Sequence, residues 1–384
     1  MNAPSRHFHR LAWAAVLLAL VVIVFGGFVR LSNAGLSCPD WPTCYGKATW
    51  PTLDHEIASA NESYERAVEV SKAWREQFHR HIAALLGVFV LVLALLAARR
   101  QKLGIASVLG ASALVALSIP IYMGIEGRFA SNHMLSVALF IVAELMLLAH
   151  ALRGTHGDAS RFSALLLMVI IFQAVLGMWT VIWLVKPVIV MAHLLGGLLT
   201  LSMLTWLAFK TMPGSALVLA EAPRLRRLLW IGLVLLVVQI ALGGWTSANY
   251  AALACGTDFP TCLGQWWPEQ DYREGFVLWR GIGVDYEGGI LDGEARIAIQ
   301  LAHRLMAVVV FVYLLWLAVR LLATPGMRGW GTTLAVATLA QVALGIANVK
   351  LGLPLWVATL HNAGAVVLLF VLVSLLARLR PPQP

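Results

Sequence analysis

"HRHIAALLGVFV", His79 to Val90, opens an apolar run that continues to Ala98 and stops at Arg99 and Arg100. About 20 uncharged residues are what it takes to cross the roughly 30 Å of a bilayer's hydrocarbon core. The stretch therefore reads as a spanning helix with an imidazole and a guanidinium at one end. At an offset of 224 residues the chain repeats it as "HRLMAVVVFV", His303 to Val312. That repetition decides the fold: an all-α integral membrane protein assembled from a duplicated helical unit.

Composition agrees with this. Of 384 residues, 60% are hydrophobic and 12% charged, the mean hydropathy is +0.80, and the apolar residues come in long runs rather than helical stripes. A net charge of +9 would suggest nucleic acid in a soluble protein. Here it follows from topology, because membrane proteins collect Lys and Arg on the cytoplasmic side, and no nucleic-acid partner is expected. Arg6, His7, His9 and Arg10 precede an apolar run that lacks a small-residue cleavage site, so the first segment reads as a retained helix rather than a signal peptide.

Apolar windows fall near 11–29, 80–98, 104–123, 131–150, 162–183, 190–209, 228–246, 299–319, 331–349 and 358–377, which makes ten crossings. A cytoplasmic N-terminus gathers Arg99, Arg100, Lys102, Arg153, Arg161, Lys210, Arg224, Arg226, Arg227, Arg320, Arg328, Arg378 and Arg380 on one side. The two long loops, 30–78 and 247–298, then lie outside and are acidic in balance. They hold all four cysteines, in "SCPDWPTCYG" (Ser37–Gly46) and "CGTDFPTCLG" (Cys255–Gly264), on the oxidising side where disulfides persist.

The repeat is extensive. "GGFV" at Gly26 matches "GGWT" at Gly243, "QAVLGMWTV" at Gln173 matches "QVALGIANV" at Gln341, and "AHLLGGLL" around His193 matches "LHNAGAVV" around His361. The offsets are 217 to 224 for the early elements and 168 for the later two, so the first half carries about 56 extra residues between His79 and Gln173. These suffice for a two-helix hairpin, about 101–152, inserted into the first of two four-helix bundles. The halves are expected at 1–210 and 211–384, alike in orientation because each crosses an even number of times.

His79, His193, His303 and His361 occupy matched positions in the outermost turns of the predicted helices. A lone histidine there reads as facing headgroups; four at matched positions read as ligands. Ionisable groups in spanning segments face a bundle interior, and two imidazoles on facing helices suit the axial positions of a haem iron. A closed zinc site wants three or four ligands per centre, more than each half presents. Arg80 and Arg304 are placed either to meet haem propionates or to snorkel at the interface. His81 points off the ligand face. His133 and Glu144 belong to the insert and have no repeat partner. His7, His9, His55, His150 and His156 sit in tails, loops or helix ends.

One matched position differs between the halves. "EQFHR" puts Glu76 one turn before His79, whereas "QLAHR" puts Gln300 before His303. A carboxylate in only one half is what a duplicated haem protein needs if one haem is worked on and the other transfers electrons or holds structure.

Taken together, "GGFVRLSNAGLSCPDWPTC", "ExxHR" at Glu76–Arg80, "QAVLGMWTV", "AHLLGG", "GGWTSANYAALACGTDFPTC", "AHR" at His303 and "LHNAGA" resemble the haem A synthase family, across both halves of the chain. The resemblance implies an eight-helix enzyme of two pseudo-symmetric bundles that oxidises a methyl group of haem O to the formyl group of haem A, with water as oxygen source. It implies Glu76 as catalytic, His79 and His193 as ligands of the substrate haem, and His303 and His361 as ligands of a haem b cofactor. It also implies disulfides Cys38–Cys44 and Cys255–Cys262. Location would be a bacterial inner membrane with both termini cytoplasmic. Implied partners are haem O, membrane lipid, the haem O synthase, an electron acceptor of unnamed class and a second copy of the chain. The hairpin departs from the eight-helix pattern. Two other readings compete: a di-haem cytochrome b moving electrons from a quinol, which leaves Glu76 without a role, and a haem exporter or chaperone, which needs no one-sided carboxylate.

Overall fold

The computed structural model describes residues 7–124, 132–154 and 158–382; His156 and the link between the hairpin's two helices lie outside them. In chain order the elements are α1 (Phe8–Leu31), α2 (Asp54–Ser63), α3 (Val70–Ala98), α4 (Gly104–Met123), α5 (His133–Arg153), α6 (Ala159–Ile182) and α7 (Pro187–Thr211). They continue with β1 (Leu217–Val218), α8 (Ala222–Ala248), α9 (Tyr272–Gly275), α10 (Gly293–Leu322), α11 (Arg328–Lys350), α12 (Leu355–Arg378) and β2 (Leu379–Arg380). Among the described residues ten helices are long and apolar enough to cross a membrane, one for each sequence window. The chain is an all-α, multi-pass membrane protein; among the described residues the only ladder pairs β1 with β2 in parallel over two residues each.

The spanning helices are apolar on every side, as lipid demands of a helix whose outer face has no water to meet. On α3, Leu85, Val88 and Val92 are exposed while Leu86, Val90 and Leu93 are buried; on α10, Leu305, Val308, Val312, Trp316 and Val319 are exposed while Val310, Leu314, Leu317 and Leu321 are buried. Spacings of three and four put each exposed row on one face toward lipid.

The sequence windows start well late at three helices: α8 begins at Ala222 rather than near 228, and the other two carry matched histidines. α3 begins at Val70 rather than near 80, and α10 at Gly293 rather than near 299. Their first turns, "VSKAWREQ" and "GEARIAIQ", carry too much charge to register as apolar, yet backbone hydrogen bonding carries the helix beyond the hydrocarbon. His79 thus stands nine residues inside α3 and His303 ten inside α10, not in the outermost turns. His193 and His361 each stand six residues inside, on α7 and α12.

The chain forms two compact bodies. One comprises Met1–Ala19, Ala83–Ala174 and Leu199–Ser215; the other Leu20–Ile82, Val175–Leu198 and Ala216–Pro384. The first contains the hairpin, where the Ser136 hydroxyl of α5 donates to the Ser118 carbonyl of α4 at 2.8 Å. Its His133 packs edge-on against Tyr122, ring centroids 4.8 Å apart. The second body contains both cysteine loops and all four matched histidines.

Candidate functional site

The two cysteine loops fold alike. Cys38–Cys44 and Cys255–Cys262 are disulfides, and the bonded cysteines are fully buried. In each loop the second cysteine forms an isolated bridge, to Lys47 in one and Gln265 in the other, and the proline before it is cis. Asp40 accepts from the backbone N–H of Tyr45 at 2.6 Å and Gly46 at 2.8 Å, as Asp258 accepts from Gly264 at 2.7 Å. Gly46 and Gly264 have φ of +72° and +76°, a region that disfavours a β-carbon, so both Asp and Gly recur for backbone reasons.

Beneath each loop lies the position where the halves differ. Glu76 is 4% exposed and Gln300 3%. Glu76 Oε2 accepts from the Cys38 backbone N–H at 2.9 Å and the Ser37 hydroxyl at 3.1 Å. In the second half Gln300 Oε1 accepts from the Cys255 N–H at 2.7 Å, and its amide donates to the Ala252 carbonyl at 2.6 Å. Either side chain therefore caps the loop, and what separates them is charge. Glu76 Oε1 pairs with Arg80 at 2.6 Å, one turn along the helix. That guanidinium also donates to the Asp40 carbonyl at 2.8 Å and the Thr43 carbonyl at 2.5 Å. Arg304 donates to the matching carbonyls of Asp258 and Thr261, both at 2.9 Å, with no carboxylate pair. Both arginines, singled out from the sequence as candidate propionate contacts, hold the cysteine loops down onto the helices.

Each matched histidine lies against a glycine of a neighbouring helix. A β-carbon built on Gly26 of α1 would come 2.7 Å from His79 Cε1; on Gly177 of α6, 3.1 Å from His193; on Gly243 of α8, 3.1 Å from His303; on Gly345 of α11, 3.0 Å from His361. Such distances are at or below what real β-carbons show, so each glycine exists to admit a ring. The glycines were visible as repeat elements, but nothing in the sequence assigned one to each histidine. His79 lies within electrostatic reach of His193, and His303 of His361. The four rings thus form two pairs, one per half.

These pairs fit an iron held axially in a planar macrocycle. Among the described residues no three or more His, Cys, Asp or Glu converge, which leaves two imidazoles per centre as the donor set. His361 shows the tautomer such a role needs: its Nδ1 donates to the Gln341 carbonyl at 3.2 Å, so Nε2, which the Gln341 side-chain amide meets at 3.4 Å, is the unprotonated nitrogen.

The glycine after two of the four cradles ties the halves together. Next to Gly26, Gly27 faces Asn362, the residue after His361; next to Gly243, Gly244 faces Leu194, the residue after His193. Arg30 near the end of α1 donates to the Ser247 carbonyl of α8 at 2.8 Å and the Tyr250 hydroxyl at 3.1 Å, with its charge 4.5 Å from the Tyr250 ring. Arg66 pairs with Glu287 at 2.8 Å, joining the two long loops. Lys186, 1% exposed, donates to the Arg280 carbonyl at 2.6 Å with its ammonium 3.5 Å from the Trp279 ring. Burial pushes this ammonium below its ordinary range.

The remaining candidates lie elsewhere. His81 is exposed and hydrogen-bonds the Ala48 carbonyl at 3.0 Å, off the ligand face. Glu144, in the hairpin, has one buried oxygen without a hydrogen-bond partner. His150 is buried and meets the Ser160 hydroxyl at 3.0 Å.

Tyr45, packed with Cys38, Cys44 and Ala73, reports on this loop. Burial, opposed by Arg66 and reinforced by Glu76, pushes its phenol up from 10.0 to about 12. The folded state therefore favours the neutral phenol, and the stability this contributes is present below pH 10 and lost as pH rises toward 12. A pH titration of tyrosinate absorbance is expected to lose its latest-titrating phenol in Tyr45→Phe; a titration whose late end is unchanged by that substitution would refute the packing.

Comparison with known proteins places these motifs. The family model described as cytochrome oxidase assembly protein matches residues 9–156 and 128–373, two stretches that overlap within the hairpin region. A haem A synthase of Shewanella oneidensis is 34% identical over 94% of this chain and 93% of its own. Haem A synthases of Methylobacterium radiotolerans and Cereibacter sphaeroides are 28% and 27% identical, over 93% and 92% of this chain and 86% and 83% of theirs.

Proposed function

Because this chain belongs to the cytochrome oxidase assembly protein family, in which its similar relatives are haem A synthases, we propose that it oxidises the methyl group of haem O to the formyl group of haem A. It is an oxidoreductase of a multi-pass membrane setting, and haem O is its substrate. The balance is R–CH3 + H2O → R–CHO + 4 H+ + 4 e−: two waters add in successive hydroxylations, and one is lost when the geminal diol collapses. The electrons pass to an acceptor outside the chain.

The observation that carries this reading is the single carboxylate. Two matched histidine pairs sit beneath two matched disulfide loops, and only one has an acid at the capping position, Glu76 against Gln300. In the N-terminal half, 1–210, His79 and His193 bind the substrate iron and so fix the porphyrin against α3, the helix that also bears Glu76. Glu76 takes the proton of the water that adds to the oxidised methyl carbon, acting as general base. Arg80, tied to Glu76 and to three loop carbonyls, keeps the carboxylate in place as the loop covers it. In the C-terminal half, 211–384, His303 and His361 hold haem b, which when bound supplies a one-electron couple. The cysteine loops lie on the outer face of a bacterial inner membrane and both termini in the cytoplasm, where Arg99, Arg100 and Arg224–Arg227 collect.

The test is pigment analysis. Protein purified from cells that make haem O is expected to yield haem B together with haem O and haem A on extraction. Haem B alone, filling both sites, would favour the di-haem cytochrome b reading and remove the synthase assignment.

A further inference from the structure

The four glycine cradles are not equivalent. One turn before three of the glycines stands a glutamine: Gln173 before Gly177, Gln239 before Gly243 and Gln341 before Gly345. Before Gly26 the same position is Val22, which is buried. A residue one turn away shares the helix face of the glycine, the face from which a glutamine can reach the same imidazole. Two of them are seen on their targets. The Gln239 amide lies 3.1 Å from His303 Nδ1, and Gln341 meets both nitrogens of His361, its carbonyl 3.2 Å from Nδ1 and its amide 3.4 Å from Nε2. His79 Nδ1, by contrast, is buried without a hydrogen-bond partner.

The nitrogen of a ligating imidazole that does not bind iron carries a proton, and an acceptor for that proton fixes the ring's direction and makes it a stronger donor to the metal. Gln341 provides such an acceptor through its backbone. Gln239 would provide one through its amide oxygen after a half-turn about the last side-chain bond, which gives up the 3.2 Å bond its nitrogen donates to the His303 carbonyl. That oxygen is otherwise buried without a partner. Valine has no side-chain acceptor, and no backbone carbonyl reaches His79 Nδ1 either.

We propose that Gln239 and Gln341 are positioning residues that lock haem into the second pocket, and that the valine at position 22 makes His79 the releasable ligand through which haem enters and leaves the first. This rests on the reading that the histidine pairs hold haem iron. It gives the duplicated site a division of labour that its ligand set alone does not. A resident group must stay through many turnovers, whereas a substrate haem has to arrive and its product to leave. The loosened bond is on the helix that carries Glu76, so release is placed at the reacting end of the site.

The experiment follows haem transfer from the full-length protein, in lipid nanodiscs, to excess apomyoglobin. Wild type is expected to give a fast phase assigned to the His79 pocket by its absence in His79→Ala, and a slow phase from the other pocket. Val22→Gln should slow the fast phase about tenfold, the lower end of what an outer hydrogen bond to a metal-bound histidine changes. Val22→Ala, which alters volume without adding an amide, should leave it as it was. Gln239→Val should speed the slow phase by about the same factor and raise the midpoint potential of that haem, because a less basic imidazole favours the ferric state less. Equal slowing by Val22→Ala and Val22→Gln would mean packing rather than a hydrogen bond and would overturn the proposal. So would rates and potential unchanged within twofold in both Val22→Gln and Gln239→Val. If His79→Ala changes neither spectrum nor phases, the ligand assignment itself fails and the proposal with it, an outcome distinct from an intact fast phase that ignores position 22.

Discussion

Glu76→Gln is expected to abolish haem A formation, by about 100-fold or more, while the protein folds and keeps its haem. The second half of the molecule is the built-in control for this substitution. Gln300 occupies the matched position, accepts the Cys255 N–H at 2.7 Å and leaves the disulfide loop folded as its twin. An amide at position 76 can accept the Cys38 N–H in the same way, and Arg80 retains its bonds to the loop carbonyls of Asp40 and Thr43. Removing one partner of a buried ion pair ordinarily costs about 3–5 kcal/mol because a bare charge is left behind. Here the remaining carbonyls offset much of that cost, as they do for Arg304, which has no carboxylate pair at all. What cannot be replaced is a base. The measurement is the ratio of haem A to haem O in extracted pigment, with thermal unfolding alongside; wild-type haem A in a folded Glu76→Gln protein would end the catalytic assignment.

Gly26→Val is expected to empty the first pocket and spare the second. A β-carbon at this position already lies 2.7 Å from His79 Cε1, and valine adds two methyl groups to it. Forcing such volume into a packed interior costs about 1–3 kcal/mol when neighbours yield. The group that must yield here is the ligand ring, so the strain falls on iron binding rather than spreading through the fold. Haem-to-protein stoichiometry should fall by about half, and Gly345→Val should do the same through His361, where the corresponding distance is 3.0 Å. A full haem complement in both variants would show that the imidazoles do not depend on their glycines.

Much of this was legible in the sequence, and the reasons it was or was not are local. The spanning helices announce themselves because lipid requires apolar residues on all faces, and the bounds of α4 are legible to the residue because its apolar run begins directly after Arg99, Arg100, Gln101 and Lys102. α3 and α10 were cut short because their outer turns are polar and only hydrogen bonding, invisible to hydropathy, continues them. The Glu76/Gln300 difference could be read by aligning the repeats, but not that both cap the first cysteine, since this depends on how the loop returns over the helix. Arg80 and Arg304 drew attention as cations near candidate ligands; their engagement with carbonyls is a matter of fold alone. The contact of Arg30 with Ser247 joins the same position of the two repeats, 217 residues apart, but a repeat alone does not say that its equivalent positions touch.

The glycine doublets carry a consequence for how such a molecule can change over time. Gly26 and Gly243 admit the histidines of their own halves, while Gly27 and Gly244 abut the residue following a histidine of the other half. Adjacent residues thus set clearances in both halves, the first glycine of a doublet for a ring of its own half and the second for a helix of the other half. Each half is free to diverge in single side chains, as positions 22 and 76 have done, but not in the spacing that the second glycine sets. A duplicated protein built this way specialises by editing chemistry inside a frame that both copies are obliged to share.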